Sequence, residues 1–492
     1  MLDGIRVLDL TDERGFVGGW MLAELGADVV AIEPPDGSPA RRIGPFADDD
    51  EAPNRSLPWW AYARNKRSAV VEFSSESGRR SLRELAQRAD IFIESQRPGM
   101  LSAVGLGYDE LSVANPRLIY VSITPFGQDG PKAQWAATDF TVLAAGGPLW
   151  LCGDDDRPPV RVTVPQAFAH AGAEAAAASL VALQERHRSG LGQYIDISAQ
   201  QAVTLATQSD IVSSAVGDPP ARRFGGGMKV GPLIVRLVYP AADGHVSITH
   251  VFGAAIGPAT ARLMVRVCAD GYCDESMRDK DWVGYGGLLA KGQQSLEDFE
   301  EAKAAVAHWT ASKTKAQLLD AAMTHGLLIA PCSNPADVLA SEQLEARGFF
   351  PRQVRPDGRG RVRMPGHFAR FSGSKSRESK PAPGLGEHTE QVMEEWNAEA
   401  PKRSEPSGES GTRPLDGMKV LDFMWAIAGP MTSRILADYG ATVIRVESGS
   451  HIDACRTMRP YVGGKPDIDQ SSLFHACNAS KLMLAIDLSK PE

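Results

Sequence analysis

The sequence predicts an α/β protein, with a large domain built on a Rossmann-like parallel sheet and a smaller α+β domain. Three observations carry this. Residues 5–33, IRVLDLTDERGFVGGWMLAELGADVVAIE, read as strand, helix, strand: the apolar runs Val7–Leu10 and Val29–Ile32 bracket a helical stretch that stops at Gly26. A strand–helix–strand unit of this size packs as a parallel pair with a right-handed crossover. Strand-like segments then recur at 67–73 (RSAVVEF), 89–95 (ADIFIES), 117–127 (RLIYVSITPFG) and 192–198 (GQYIDIS). Near residue 218 the texture changes to a loop, DPPARRFGGGMKVGP, and then LVYPAADGHVSIT, a hairpin turning at Asp243-Gly244.

The elements follow in order. Gly26 ends the first helix because glycine takes the left-handed conformation at a helix terminus without a steric penalty. SGRRSLRELAQR is a polar helical stretch between two strands. Residues 169–189, AHAGAEAAAASLVALQERHRS, form a strong helix, alanine-rich and with its cations at the carboxyl end. The domain limits expected are 1–220 for the first part of the large domain, 221–348 for the small domain and 349–397 for a return to the large one. Residues 398–414, rich in Pro, Ser, Gly and Glu, read as a linker.

Bulk properties narrow the function. The 492 residues are 43% hydrophobic and 23% charged, with a formal net charge of −9. That composition is globular, and its acidity argues against a general nucleic-acid binder or a basic membrane-surface protein. No stretch has the roughly 18 apolar residues of a membrane span, so the expected location is the cytoplasm. The six cysteines, at 152, 268, 273, 332, 455 and 477, make no CxxC pair. They read as reduced, mostly buried thiols, and Cys268 and Cys273 lack a second pair to complete a metal site. DERGFVGG is not GxGxxG, which argues against NAD or FAD.

After the linker the opening pattern returns. Leu2-Asp3-Gly4 matches Leu415-Asp416-Gly417, and Val7-Leu8-Asp9 matches Val420-Leu421-Asp422. LAELGADVVAIE (22–33) matches LADYGATVIRVE (436–447), and Lys66 stands opposite Lys481. Residues 415–492 therefore read as the start of a second, truncated copy. It stops at DLSKPE, level with about residue 77 of the first. The expectation is that the intact protein carries a complete second half.

Several strings, in this order, resemble the class III CoA-transferases, the CaiB/BaiF family that includes formyl-CoA transferase. They are GADVVAIEPPDGSPARRIGPF, ARNKRSAVVEF, ADIFIESQRPGMLSAVGLGYDEL, LIYVSITPFGQDGP, RSGLGQYIDIS and RVRMPGHFARFSG. The doubled pattern is similar to fused members with two such domains on one polypeptide. The resemblance implies the family fold of interlocked dimers, here by pairing with the second repeat or as a homodimer. It implies acyl-CoA and a small carboxylic acid as reactants, with coenzyme A a substrate rather than a resident cofactor. The chemistry implied is covalent: an aspartate attacks the thioester and the acyl group passes through a mixed anhydride.

The family's nucleophilic Asp precedes the Ala/Gly-rich helix. Here that segment reads VTVPQAFAHAG (162–172): Phe168 stands at the Asp position, and no carboxylate lies between Val162 and Gly172. The family's A-G-P loop is replaced by ERGFVGG (13–19) in the first copy and kept as Ala428-Gly429-Pro430 in the second. The resemblance thus implies a catalytically silent first half, with the nucleophile expected beyond residue 492; the alternative is a non-catalytic CoA-binding or scaffold relative. Thr138 in place of the racemase histidine argues against racemase activity.

By the same resemblance, Lys66 and Arg67 meet the nucleotide end of CoA. Ser95, Gln96 and Arg97 occupy the loop that contacts its adenosine and pantetheine portion. Asp139 matches an acid near the thioester and, without its partner, reads as a structural acceptor. Gly225, Gly226 and Gly227 match a glycine-rich loop over an active site, and Ala428 and Gly429 face the thioester. His170 reads as a helix-start residue, and Cys332 has no recognisable base.

Overall fold

The structure is a computed structural model and describes residues 1–207, 210–230, 233–253, 256–373, 378–398 and 413–490. The linker expected at 398–414 lies almost wholly outside the described residues. The chain divides into two compact units, one of residues 1–149, 161–220 and 345–492, the other of 150–160 and 221–344.

The larger unit is built on six parallel strands: β1 (Arg6–Leu10), β2 (Asp28–Glu33), β3 (Arg67–Val70), β4 (Ile91–Glu94), β5 (Ile119–Thr124) and β6 (Tyr194–Ser198). They lie in the order β3-β2-β1-β4-β5-β6. Val7 sits opposite both Val29 and Ile91, so β1 is central. Every residue of β4 and β5 is buried. A parallel sheet covered on both faces needs such continuous apolar strands, which is why they were readable as short unbroken runs.

Two helical layers cover the sheet. On one face lie α1 (Phe16–Glu24) and, later in the chain, the long helix of Ala167–Ser189. Between them in sequence come α2 (Leu57–Tyr62), α3 (Glu76–Ala86), α4 (Tyr108–Ala114) and α5 (Asp139–Gly146), and the long helix is α6. Val7, Leu22, Ile93, Ile123 and Val142 pack with Ala171, Ala175 and Leu183 of α6. On the other face Leu82 and Leu85 of α3 and Leu111 of α4 join Val392 and Trp396 of the helix Thr389–Asn397. That last segment also seals the edge strand. His388 donates its backbone N–H to the Ser68 carbonyl at 2.9 Å, and Thr389 Oγ1 accepts from Val70 N at 3.0 Å. An unpaired edge would invite association, and this return removes it.

α1 and α6 meet backbone to backbone. A Cβ on Gly172 would lie 2.9 Å from Gly18 N, and one on Gly18 would lie 3.1 Å from the Gly172 carbonyl oxygen. Glycine at both positions is a packing requirement.

The smaller unit has a hairpin, β7 (Gly227–Val230) with β8 (Leu233–Arg236), and an antiparallel sheet of β9 (Val238–Ala241), β10 (Gly244–Ile248) and β11 (Ile329–Pro331). β9 and β10 turn at Asp243-Gly244, where the sequence placed the hairpin. Its core is aromatic, with Tyr239, Trp282, Tyr285, Phe299 and Trp309 all at 1% exposure or less. His250 lies among them, bonded to Tyr239 Oη at 3.0 Å, and burial pushes its pKa down to about 4.

The cysteine expectation is corrected here. Cys268 and Cys273 form a disulfide, with Cα atoms 4.4 Å apart. The helix Gly257–Ala269 ends beside Cys268, and Gly271, at φ +86°, turns the chain back so that Cys273 meets it. Of the four cysteines outside the disulfide only Cys455 and Cys477 are buried; Cys152 is half-buried and Cys332 exposed.

A short hairpin, β12 (Arg352–Val354) and β13 (Arg361–Arg363), belongs to the larger unit. So does the 415–490 segment. Its strands β14 (Lys419–Asp422), β15 (Thr442–Glu447) and β16 (Leu482–Ala485) form a parallel sheet in that order, with the helix Ala428–Asp438 between the first two. This is the element order of β1–α1–β2–β3. The segment rests on α6: Val181 packs against Leu415, Ala437 and Val443, and Arg188 donates to the carbonyls of Arg413, Pro414 and Asp416 at 2.7–2.9 Å.

Gly172→Val is expected to cost about 2–4 kcal/mol, because the added carbons meet backbone that cannot move aside. Ala173→Val, one position along α6 and half-buried, should cost under about 1 kcal/mol. Urea unfolding of the two variants against wild type checks this.

Candidate functional site

In an open parallel sheet a ligand crevice forms outside the carboxyl ends of the strands, where the strand order reverses. Here that point lies between β1 and β4. The loops that follow β1, β4 and β5 build its walls.

The β1 loop is cross-braced. Thr11 donates its N–H and its hydroxyl to Asp9 Oδ1, at 3.0 and 2.6 Å. The Asp12 carboxylate takes Arg14 Nε at 2.9 Å and the Ser95 hydroxyl at 3.0 Å, and Ser95 Oγ in turn accepts Asp12 N at 3.1 Å. Gln96 Nε2 donates to the Leu10 carbonyl at 3.3 Å. Ser95 and Gln96 therefore fasten the β4 loop to the β1 loop. Arg97, the third residue of this group, is exposed and has no carboxylate partner among the described residues.

Lys132, which the sequence reading passed over, stands in the β5 loop. It lies over the rings of Phe126 and Trp135, at 5.8 and 5.4 Å, with no carboxylate partner among the described residues. Gln134 Nε2 reaches the Pro98 carbonyl at 3.2 Å and ties this loop to the one carrying Arg97. Two cations without acids thus flank one crevice, an arrangement suited to an anionic ligand. The signal for Lys132 was the lysine in GPKAQW, directly after the loop of β5.

Glu94 forms the floor. It is 4% exposed and accepts from the Ser122 hydroxyl and from Gln96 N at 2.5 Å. Burial pushes its pKa up to about 7. Glu13, in the β1 loop, has a buried Oε2 with no hydrogen-bond partner, and burial raises its pKa too.

Phe168 lies in the first turn of α6, 8% exposed, packed with Ile123, Val142 and Leu143. An aromatic ring fills this position and no carboxylate stands in the turn. Asp139, the first residue of α5, caps α6 instead: its Oδ1 accepts Ala167 N at 2.6 Å. A carboxylate there satisfies an orphan donor and complements the helix dipole. His170, two residues after Phe168, is exposed.

Lys66 and Arg67 are engaged internally. Lys66 Nζ, on a side chain 2% exposed, donates to Asp9 Oδ2 at 2.8 Å and to the Phe16 carbonyl at 2.9 Å. Gly19 makes room for the pair, since a Cβ there would lie 2.0 Å from Asp9 Oδ2. Arg67 pairs with Asp28 and with Glu395. As placed, both cations neutralise the protein's own acids at the amino-terminal side of β3.

The remaining predicted residues lie elsewhere. Gly225, Gly226 and Gly227 belong to the smaller unit, where Gly225 N donates to Asp154 Oδ1 at 2.7 Å and Gly226 has φ +70°. Arg223 stacks on Trp150 at 4.7 Å and donates to the carbonyls of Asp154 and Arg157, so the loop is tethered at its start. Ala428 and Gly429 open the helix after β14. Gly429 abuts Met424, whose Cβ would be 2.6 Å from an added Cβ. Beneath them Lys481 Nζ donates to Asp422 Oδ2 at 3.0 Å and to the Pro430 carbonyl at 2.8 Å, repeating the Lys66–Asp9–Phe16 contact.

The model for CoA-transferase family III matches residues 2–389 and again 415–492. The chain belongs to that family. It is 34% identical, over 79% of its length and 93% of the relative's, to a subunit of succinyl-CoA:(R)-benzylsuccinate CoA-transferase from Thauera aromatica. It is 32% identical, over 99% of its length, to a probable CoA-transferase of Mycobacterium tuberculosis, of which it spans 58%. Among solved structures, a CAIB/BAIF family protein from Brucella suis superposes with a TM-score of 0.65 at 29% identity, covering 80% of this chain and 99% of that one.

Among the described residues no helix is long and apolar enough to cross a membrane, and no cluster of three His, Cys, Asp or Glu is disposed to hold a metal.

The raised pKa of Glu94 has a definite sign. The fold holds the proton that the unfolded chain releases above its ordinary pKa near 4.5. Stability from this group is therefore complete below pH 4.5 and is lost as pH rises to about 7. Glu94→Gln should remove this loss. The difference in unfolding free energy between variant and wild type should shift by roughly 3 kcal/mol in the variant's favour from pH 4.5 to pH 8, read by urea titration at several pH values.

Proposed function

We propose that this chain is the first half, and the beginning of the second, of a fused class III CoA-transferase that moves CoA between an acyl-CoA and a small carboxylic acid. The first half is catalytically silent. The observation that carries this reading is Phe168, buried in the turn where the family's attacking carboxylate would stand, with Asp139 committed to the α6 cap. The paired element order of 6–70 and 419–485, with the Lys–Asp–carbonyl contact in each, supports an internal duplication. Ala428-Gly429-Pro430 supports chemistry in the second copy. The nucleophilic aspartate then comes from the part of the second half beyond residue 492. The Thauera aromatica relative is named as a CoA-transferase subunit and the Mycobacterium tuberculosis relative as a probable CoA-transferase, and this supports the reaction class.

In the first half, Arg97 and Lys132 at the mouth of the crevice supply the charge for an anionic CoA moiety. The second reading, a CoA-binding or scaffold relative without turnover, is favoured by Phe168 alone.

Incubation with succinyl-CoA, then peptide mapping by mass spectrometry, separates them. The expected result is no hydroxylamine-sensitive adduct anywhere in 1–397, and one on a second-copy aspartate in a polypeptide carrying the whole second half. An adduct within 1–397 would overturn the silent-half assignment, and no adduct in the longer polypeptide would leave the scaffold reading.

A further inference from the structure

Cys455 and Cys477, in the second copy, belong neither to the crevice nor to the disulfide. Cys455 lies in the helical turn Ala454–Thr457 and Cys477 near the end of the helix Ser472–Asn478, and both are 0% exposed. They share one small core with Leu473 and Phe474, and the two thiols are hydrogen-bonding neighbours. Both segments are pinned. Asp453 Oδ1 accepts Cys455 N at 2.7 Å. Ser471 Oγ donates to the Cys455 carbonyl at 2.6 Å and caps the helix that carries Cys477.

The first copy shows that this core does not need sulfur. The caps Ser56 and Ser471 and the bridges Phe46–Ser56 and Tyr461–Ser471 set the register between the copies. In that register Ala40, also 0% exposed, stands opposite Cys455, and Tyr62 stands opposite Cys477. A single buried cysteine is ordinarily a small apolar side chain. Here two thiols are set against each other where the first copy has none. Their surroundings also differ. The hydrogen bond with Cys477, burial and the Asp453 carboxylate all raise the Cys455 pKa. Cys477 gains from that same hydrogen bond and from the Lys481 ammonium, which lower its pKa against the effect of burial. Lys481 is fixed in place, with Nζ donating to Asp422 Oδ2, the Pro430 carbonyl and Asn478 Oδ1 at 2.8–3.0 Å. A thiol beside a cation is the nucleophile of such a pair, and its protonated neighbour is the resolving thiol.

We propose that Cys455 and Cys477 are a reversible oxidation site, converted to a disulfide by a small hydroperoxide. The Cys477 thiolate attacks one peroxide oxygen, the O–O bond breaks, and hydroxide leaves and takes up a proton as water. Cys477 is then a sulfenic acid. The Cys455 sulfur attacks the Cys477 sulfur, the S–O bond breaks, and the departing hydroxide takes the Cys455 proton as a second water. Two electrons pass from the two sulfurs to the peroxide. Burial sets the class of oxidant, since hydrogen peroxide is close to water in size and oxidised glutathione is far larger. Ile427 and Met431, on either side of Ala428-Gly429-Pro430, pack against the same core, so the new bond forms next to that loop. The site does not depend on the reaction proposed for the chain.

The test is oxidation of the folded 492-residue chain by hydrogen peroxide, then alkylation in denaturant and tryptic mapping without reduction. Trypsin cuts after Arg456, so Cys455 and Cys477 fall on separate peptides unless they are linked. The expected result is one linked pair of these peptides, lost on treatment with dithiothreitol. In Cys455→Ala, which installs the first copy's residue, the link is lost and dimedone traps a sulfenic acid on Cys477. In Cys477→Ala no sulfenic acid is expected on Cys455. Circular dichroism checks that each variant is folded, and the wild-type result stands without them. The proposal is overturned if Cys455 and Cys477 are both still alkylated once the exposed Cys332 is fully oxidised, or if either is linked to a third cysteine. A sulfenic acid on Cys455 in Cys477→Ala overturns the order of attack.

Discussion

Asp9 and Lys66 are each 2% exposed at the side chain, and their ion pair joins three parts of the larger unit: the end of β1, the first turn of α1 through the Phe16 carbonyl, and the entry to β3. Removing two charges from water is costly, and such a pair is tolerable only when the remaining hydrogen-bonding capacity is also met. Here it is met, since Asp9 also takes the N–H and hydroxyl of Thr11 and Lys66 also takes a carbonyl. The pair fixes where the β1 loop starts. That loop in turn holds Ser95 through Asp12, so the geometry of the crevice descends from one buried contact. Asp422 and Lys481 make the same contact under the Ala428–Pro430 loop.

Most of the sheet was legible because burial on two sides forces continuous apolar runs, and each of the six runs named from sequence in 1–198 coincides with a strand. What was not legible depended on partners distant in sequence. Two cations before a strand suit phosphate as well as they suit carboxylate. Only the fold shows that Lys66 meets an acid 57 residues away and that Arg67 meets one 328 residues away. Asp139 offered the same ambiguity until the start of α6 was brought to it across 28 residues. The disulfide was a different kind of miss. Cys268 and Cys273 are close in sequence with a glycine between them, and the signal was there, but the absence of a CxxC pair or of a second close pair reads as reduced thiols.

The two halves of the candidate site differ in kind. The walls of the crevice, Ser95, Gln96 and the β1 loop, are rigid and internally bonded, and they present backbone and shape. Arg97 and Lys132 are the free charges, both on loops. Scaffolding by strands with function on loops is the usual division of labour in such folds.

At the meeting of Gly18 and Gly172 the backbones of α1 and α6 approach with no side chain from either glycine between them. Two helices in backbone contact have no soft layer to absorb motion, so they tilt and breathe as one body. The β1 loop at the head of α1 and the turn holding Phe168 at the head of α6 are therefore mechanically locked together. The distance between these two walls is held by the fold itself, and a single substitution at 168 would change the chemistry of the turn without changing the frame that aims it.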